Sequence, residues 1–533
     1  MEHGLNDKEK KALFWASFLA LAAAGFGFVF RVMIPDMWVS EFEITKEEVG
    51  GLTGAALWPI AITMIIFSLL VDKIGYKVSM LCAFVLQALS VVLTIMAKDV
   101  GALWWACFSA GLGHGIVEAC INPLCASIYR HEKSKMLNIL HAAWPAGIVG
   151  GGIAFLTLVG ANATDWETTK WIFWVMLLPV IAYGFMFLLV KHFPVDERVR
   201  ANVPMSEMLR EWGGLGAGLA STFLLYEIFG QLGVQLGPNK LYICMGMGVV
   251  IGTAFGMVMK AKGKWMFFVL CLIMIPLATA ELATDAWIAS LMRPIMGSSA
   301  GWAIVLSAAI MMTLRFFAGI PLKFLNPPQL LLVSSVFSII GLFTLSSVGG
   351  AMIFGAFVLY AIGQTFYWPT VLGFVSEQFP KGGAMTLNTV SAMGLLTVGI
   401  FGFPFLGAVQ DHYQTQAIMN QEPGIVKTLV PDETAIEEIV VYTKKNFFGW
   451  SYDSINPIVF NKVEGMTEAK AAELAGELKA TSQSSLKVAA VLPLIMAIAF
   501  IIIILYYKRI GGYKPVDLFA GHEDDAKRSE PGF

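Results

Sequence analysis

The feature that most limits what this chain can fold into is a repeated apolar run about as long as a bilayer is thick. A helix crossing the hydrocarbon core needs about 20 predominantly apolar residues. Such runs recur fourteen times, with rough cores at 13–37, 50–71, 77–97, 102–128, 137–160, 170–191, 216–235, 241–259, 265–291, 301–321, 328–347, 351–377, 384–409 and 487–507. A backbone inside lipid must satisfy its own polar groups, and runs of this length do so as helices. Composition agrees: 57% of residues are apolar and only 14% are charged, against about 25% charged in soluble domains. The expected fold class is therefore an all-α membrane protein.

Loop charges test the count. With the N-terminus cytoplasmic, inner loops carry Lys73 and Lys77, then Arg130, Lys133 and Lys135, then Arg198, Arg200 and Arg210, then Lys260, Lys262 and Lys264. Lys323, Lys381, Lys508 and Arg509 complete the series, whereas outer loops hold only isolated basic residues such as Lys46, Lys98 and Lys170. Every second loop is basic, as the positive-inside rule requires. The first run lacks a cleavage site followed by a polar start, so it reads as a span rather than a signal peptide. The expectation is a polytopic protein of the plasma (inner) membrane with both termini cytoplasmic.

The segment 410–486 is too polar to span. It carries 11 Asp/Glu against 6 Lys/Arg, and its T-E-A-K-A-A-E-L-A-G-E-L-K-A stretch suggests a helical extracytoplasmic cap. A sequon at Asn162 lies on an outer loop. A weak internal repeat links N-P-L-C-A-S-I-Y-R of the fourth span with W-P-T-V-L-G-F-V-S-E of the twelfth. In both, a mid-helix proline precedes a charged turn, and Leu-Asn opens the next helix. The expected organisation is a six-helix half at 1–192, a linker with an inserted helix pair at 193–264, five helices at 265–409, the cap at 410–486, a last helix at 487–507 and a tail at 508–533.

Several classes fall away. The net charge of −2 and the lack of a basic patch argue against nucleic acid. No P-loop or HExxH pattern is present and there is no GxSxG nucleophile elbow, so neither an ATP-driven pump nor a common hydrolase is indicated. The six cysteines, Cys82, Cys107, Cys120, Cys125, Cys244 and Cys271, fall in apolar runs without a CxxC pair and read as small buried hydrophobes. No cofactor or metal is expected.

The turn after the second span reads S-L-L-V-D-K-I-G-Y-K. It resembles the major facilitator loop motif G-x-L-x-D-R-x-G-R-K. Asp72, Gly75 and Lys77 match, Lys73 keeps the basic character, and Ser68 and Tyr76 replace a glycine and an arginine. The resemblance implies two six-helix halves plus the inserted pair, with a cytoplasmic gate on Asp72, Gly75, Lys77 and Arg130. Within that superfamily, G-H-G-I-V-E-A-C-I-N-P-L and L-N-I-L-H-A-A-W-P-A-G-I-V-G-G-G resemble the fucose-permease-like sugar symporters. That resemblance implies a fourth-span acid that takes up and releases a proton during symport, matched here by Glu118 with Asn122 and Pro123. It also implies an acid in the first span, where this chain instead has Arg31, with Asp36 further out.

The residues carry their own arguments. His114, Glu118 and Asn122 recur at i, i+4 and i+8 and share a helix face. An ionised carboxylate in mid-span costs roughly 2.5–3.5 kcal/mol on insertion scales, so Glu118, helped by His114, suits proton coupling; a purely structural network is the alternative. His141 and Trp144 offer a hydroxyl partner and a sugar-stacking platform. The nearby glycines read as close-packing positions. Glu281 and Asp285 share a face of the ninth span, with Trp287 beyond them, and Gln364 and Trp368 lie one turn apart on the twelfth, with Tyr367 beside them. Glu281, Gln364 and Trp368 join Asn122, His141, Trp144 and Arg31 as candidate substrate contacts. Arg31 also reads as a residue that snorkels outward or pairs with Asp36. Glu227 reads as structural, without an evident partner.

These readings converge on a secondary active transporter that imports a small sugar or related polar solute with a proton by alternating access. Sodium stands as an alternative coupling ion. A monomer in the lipid bilayer is expected. An organic-anion or peptide carrier, and a non-transporting sensor on the same fold, stay open as alternatives.

Overall fold

The computed structural model describes residues 5–44, 46–160, 165–284, 287, 300–348, 352–421, 442–455 and 485–519, with separate residues between 467 and 483. The protein is a bundle of apolar helices. Among the described residues, eleven helical segments are long and apolar enough to cross a membrane. Gly51–Met96 is 46 residues long and is interrupted at Gly75, whose φ of 80° and ψ of 158° are non-helical. Gly111 packs on Ala56 and Pro59, whereas Gly113, half a turn on, packs on Ala83 and Gln87. Residues before and after Gly75 thus flank the same level of one neighbour, so the chain reverses there.

The first group of helices comprises α1 (Asp7–Met33), α2 (Trp58–Met96), α3 (Val100–Ile128), α4 (Lys133–His141), α5 (Ala143–Leu158) and α6 (Phe173–Leu189). A helix pair follows, α7 (Met205–Gln231) and α8 (Lys240–Met259). The second group comprises α9 (Trp265–Ala278), α10 (Ala300–Phe316), α11 (Pro327–Leu345), α12 (Met352–Gln364), α13 (Tyr367–Gln378), α14 (Gly383–Thr397), α15 (Phe403–Gln421) and α16 (Val491–Arg509). The fold class is therefore as expected.

Small residues set the closest approaches. A Cβ on Gly147 would lie 2.0 Å from the Ala22 carbonyl oxygen, and one on Gly25 would lie 2.3 Å from that of Trp144. Backbones of α1 and α5 therefore nearly touch, and only glycine permits it. The inserted pair uses the same device: Gly214 and Gly218 meet Gly248 and Gly252. It packs against the second group through α9 and α14. Glu227, expected to be structural, accepts from Gln231 at 2.8 Å one turn away.

The segment beyond 409 differs from its expected form. Apolar patterning stops near 409, but α15 runs on to Gln421, because a helix that leaves the bilayer needs no apolar side chains. A β-hairpin then pairs β1 (Tyr442–Phe447) with β2 (Trp450–Ile455), around Gly449 at φ 92°. It is tied to α15 by Lys445 and Ser454, both bonded to Asp411 at 3.0 and 2.7 Å. The stretch expected to be helical is helical at 469–470, 472–474 and 476 among its described residues. The sequon at Asn162 lies outside the described residues.

Cys82 is exposed while the other five cysteines are buried, and all six are free thiols. The expectation of burial fails for Cys82, where the apolar run supplies a lipid-facing residue rather than a core one.

Candidate functional site

Three prolines build the centre of the molecule. Proline lacks an N–H, so it leaves free the carbonyl four residues back. Pro123 frees Ala119, Pro145 frees His141, and Pro369 frees Thr365. A buried free carbonyl needs a donor from elsewhere, and each finds one. Asn388 donates to Ala119 at 3.1 Å. Arg315 donates through Nη1 to His141 at 3.0 Å and through Nε to Thr365 at 2.7 Å. His141 belongs to the first group and Thr365 to the second, so one guanidinium bridges both.

The third face of Arg315 meets a carboxylate. Its Nη2 lies 2.6 Å from Glu281 Oε1, and Glu281 Oε2 accepts from the Trp368 backbone N–H at 2.9 Å. Glu281 sits in a π-helical turn, Thr279–Ala283, of the kind found mostly at functional positions. Tyr360 donates to the Ala280 carbonyl in the same turn. Arg315 and Glu281 are both nearly inaccessible, and a charge there persists only with a well-formed partner.

The fourth-span residues form a connected line on the other side of His141. Glu118 Oε2 accepts from Asn122 Nδ2 at 2.9 Å. Asn122 Oδ1 lies 2.8 Å from His141 Nε2. Because the Asn122 amide already donates to Glu118, its oxygen is the acceptor, which assigns the proton to His141 Nε2. His114 Nε2 lies 3.7 Å from Glu118 Oε1, and its ring stacks on Trp144 with centroids 5.2 Å apart. Polar groups thus run from Glu118 through Asn122 to the His141 ring, and the His141 backbone carbonyl meets Arg315 and through it Glu281, with His114 3.7 Å beyond Glu118.

The other expected contacts fall as follows. One face of Trp144 is covered by His114, and Phe28 lies 5.2 Å away. Gln364 and Trp368 do not share a face of one continuous helix: α12 ends at Gln364 and α13 starts at Tyr367. The break before Pro369 explains this, since the residue preceding a proline resists helical geometry and the ring forbids the bond behind it. The Trp368 ring packs on Gly394. The Tyr367 hydroxyl lies 3.5 Å from the Ser334 carbonyl. Trp287 donates to Gln410 at 2.7 Å. Asp285 lies outside the described residues, as does the side chain of Asp36.

Arg31 does not snorkel. It is 6% exposed, with Nη1 donating to the Gly27 carbonyl at 3.0 Å. It lines a cavity of about 40 Å³ with Thr53, Gln87, His114 and Trp144. A larger cavity of about 910 Å³ lies away from this chemistry, between the inserted pair and the second group, and is mostly apolar.

At the end of the bundle near Asp72, the two groups are tied together. Lys133 donates to the Ser376 carbonyl at 3.1 Å, Asn138 to Thr370 at 3.2 Å, and Asn388 to Ser68 at 2.8 Å. Ser134 bonds Glu377, which also accepts from Tyr513 at 2.7 Å. Asp72 pairs with Arg198, and Lys77 caps α6 by donating to the carbonyls of Leu188 and Val190 at 2.8 and 3.0 Å. Both stay within the first group and its linker. The direct ties between groups come from Ser68, Lys133, Ser134 and Asn138 instead. Arg130 lies 3.9 Å from both Glu197 and Asp517. Buried Asp196, beside Asp72, has its carboxyl pushed up to about 6 by burial first and by the Asp72 charge second.

Sequence reasoning missed Arg315. The signal was present: an arginine in the apolar run 301–321, where such a residue is rare and almost always pairs or faces a cavity.

The sequence model of the family described as Major Facilitator Superfamily matches residues 15–408. The chain belongs to that superfamily. Solved major facilitator structures share its fold. The proton:xylose symporter XylE bound to 6-bromo-6-deoxy-D-glucose is 13% identical, with 78% of this chain and 91% of that one covered at a TM-score of 0.56. The E. coli fucose:proton symporter FucP is 12% identical, with 91% and 97% covered at 0.54. The nucleoside transporter NupG is 12% identical, with 93% and 99% covered at 0.51. At these identities the likeness shows the fold. No curated protein matches the chain by sequence. Membership and fold make the protein a polytopic integral membrane transporter of small molecules.

Proposed function

We propose that this transporter imports a small polar solute of the sugar class together with a proton, with Glu118 as the coupling acid. The observation that carries the reading is the polar line from Glu118 through Asn122 and His141 to Arg315. His141 is the last residue before α4 gives way to α5, and its carbonyl is held by an arginine of the opposite half. Protonating Glu118 removes the charge that Asn122 serves, which alters the Asn122–His141 contact and so biases how the halves meet. A coupling ion needs such a link, because it acts only by its different affinity for two arrangements.

The polar ties at the Asp72 end fit one limit of an alternating-access cycle, with that end shut. We place that end in the cytoplasm, with both termini, and the membrane as the plasma (inner) membrane. Asn122, His141, Trp144, Gln364 and Trp368 are the proposed solute contacts. Asp72, Gly75, Lys77 and Arg130 shape the gate that Lys133, Ser134 and Asn138 close. The bundle works as a monomer. The fold shared with xylose and fucose proton symporters supports the sugar reading.

Reconstituted into liposomes, the protein should accumulate a radiolabelled sugar or sugar acid when a pH gradient, acid on the uptake side, is imposed, and collapse of the gradient should abolish accumulation. Uptake that follows a sodium gradient at constant pH would assign sodium instead.

A further inference from the structure

We infer that the transported solute carries a carboxylate, and that Arg31 receives it. The class is a small polyhydroxy acid, such as a sugar acid. This rests on the transport reading above and narrows its substrate.

Among the described residues, two of the buried arginines, Arg31 and Arg315, lie within membrane-spanning helices, and they differ. Arg315 is saturated, with two carbonyls and the Glu281 carboxylate around its plane. Arg31 is buried too, but its Nη1 bonds only the Gly27 carbonyl one turn back, with the Cys107 thiol beside the guanidinium. Its Nη2 is buried and has no hydrogen-bond partner among the described residues. A guanidinium is always protonated, and a buried cation is retained only with compensation. Gly27 is part of the arrangement: a Cβ there would lie 3.0 Å from Arg31 Nη1, displacing the group that fixes the fork.

Among the described residues, the cavity that Arg31 lines contains no Asp or Glu. Its polar members are Thr53, Gln87 and His114, and Trp144 supplies an aromatic wall. That set suits a solute with one anionic end and hydroxyls along its length. Arginine recognises carboxylates through charge-assisted parallel bonds, while hydroxyl, amide and imidazole groups match the hydroxyls. One guanidinium balances a monoanion rather than a dianion. The volume of about 40 Å³ admits a few waters, and so takes one end of the solute rather than a whole ring.

The test is binding to the purified full-length protein without any gradient, read by thermal shift and calorimetry. D-gluconate and D-galacturonate are compared with D-glucose and D-galactose, and with phosphate and chloride. We expect an acid to bind and its neutral counterpart to bind at least about tenfold more weakly. Arg31→Gln should lose at least about tenfold in acid affinity, the size of a lost charged hydrogen bond, and Arg31→Lys should retain part of it. Gel filtration establishes that the variants are folded, and the acid-against-neutral comparison needs no variant. The inference is overturned if neutral sugars bind as well as their acids, if phosphate or chloride bind as well, if no acid binds at millimolar concentration, or if folded Arg31→Gln keeps full acid affinity. Because no gradient is used, failure here leaves proton coupling standing. Failure of pH-driven uptake likewise leaves this inference standing.

Discussion

Arg315 donates from Nη1 to the carbonyl of His141 at 3.0 Å, reaching out of the second half of the molecule to a carbonyl of the first. Pro145 leaves that carbonyl free, and Glu281 balances the arginine's charge at 2.6 Å. The contact joins the proposed proton site to the moving interface without any loop between them.

Removing one member of the Arg315–Glu281 pair should be severe. Arg315→Met leaves a carboxylate buried without a cation, which typically costs about 3–5 kcal/mol. We expect a large fall in melting temperature and loss of transport. The double variant Arg315→Met with Glu281→Gln should recover most of the melting temperature but not transport. A double variant no more stable than Arg315→Met alone would contradict the pairing.

Pro145→Ala tests the proline-freed carbonyl. The new N–H competes with Arg315 for the His141 carbonyl. Stability should hold, since Pro145 is the third residue of α5, a first-turn position where proline costs a helix little. Uptake should fall at least about tenfold, because the link between the halves is weakened. Unchanged uptake would show that this carbonyl plays no part in coupling.

Gly75 turns the chain with φ at 80° and ψ at 158°, a region essentially reserved for glycine. A Cβ there would meet nothing within 4 Å, so the effect of Gly75→Ala is purely conformational. Thermal unfolding should show a loss of about 1–3 kcal/mol.

Asp196 gives a pH dependence with a definite sign. Its carboxyl is raised to about 6 in the folded protein, mainly by burial, above an ordinary value of about 3.9. The folded state therefore binds this proton more tightly than the unfolded chain does. The stabilisation is fully present below about pH 4 and is lost as the pH rises through about 6. Melting temperature should show that decline for the parent protein, and Asp196→Asn should flatten it. A parallel decline in the variant would assign it to other groups.

The helices were legible because lipid demands long apolar runs and leaves no other way to satisfy a backbone. The turn at Gly75 was legible because a glycine followed an acid between two such runs. Glu118, Asn122 and His141 were legible as polar residues where hydrocarbon tolerates few. Arg315 was not, because its partner Glu281 lies 34 residues earlier in the chain and spacing cannot pair residues on different helices. The break after Gln364 was written in Pro369, but an apolar pattern runs through it unchanged. The hairpin at 442–455 escaped because its environment is water, where the apolar rule gives no guidance. Arg31 was visible, whereas the direction of its side chain was decided by packing around Gly27.

The central claim is that Glu118 carries the coupled proton, and one measurement reaches it most directly. Glu118→Gln keeps an acceptor and a donor for Asn122 but cannot exchange a proton. In proteoliposomes it should bind solute and support counterflow exchange, while accumulation driven by a pH gradient is abolished. Concentrative uptake by Glu118→Gln with the parent protein's pH dependence would contradict the account.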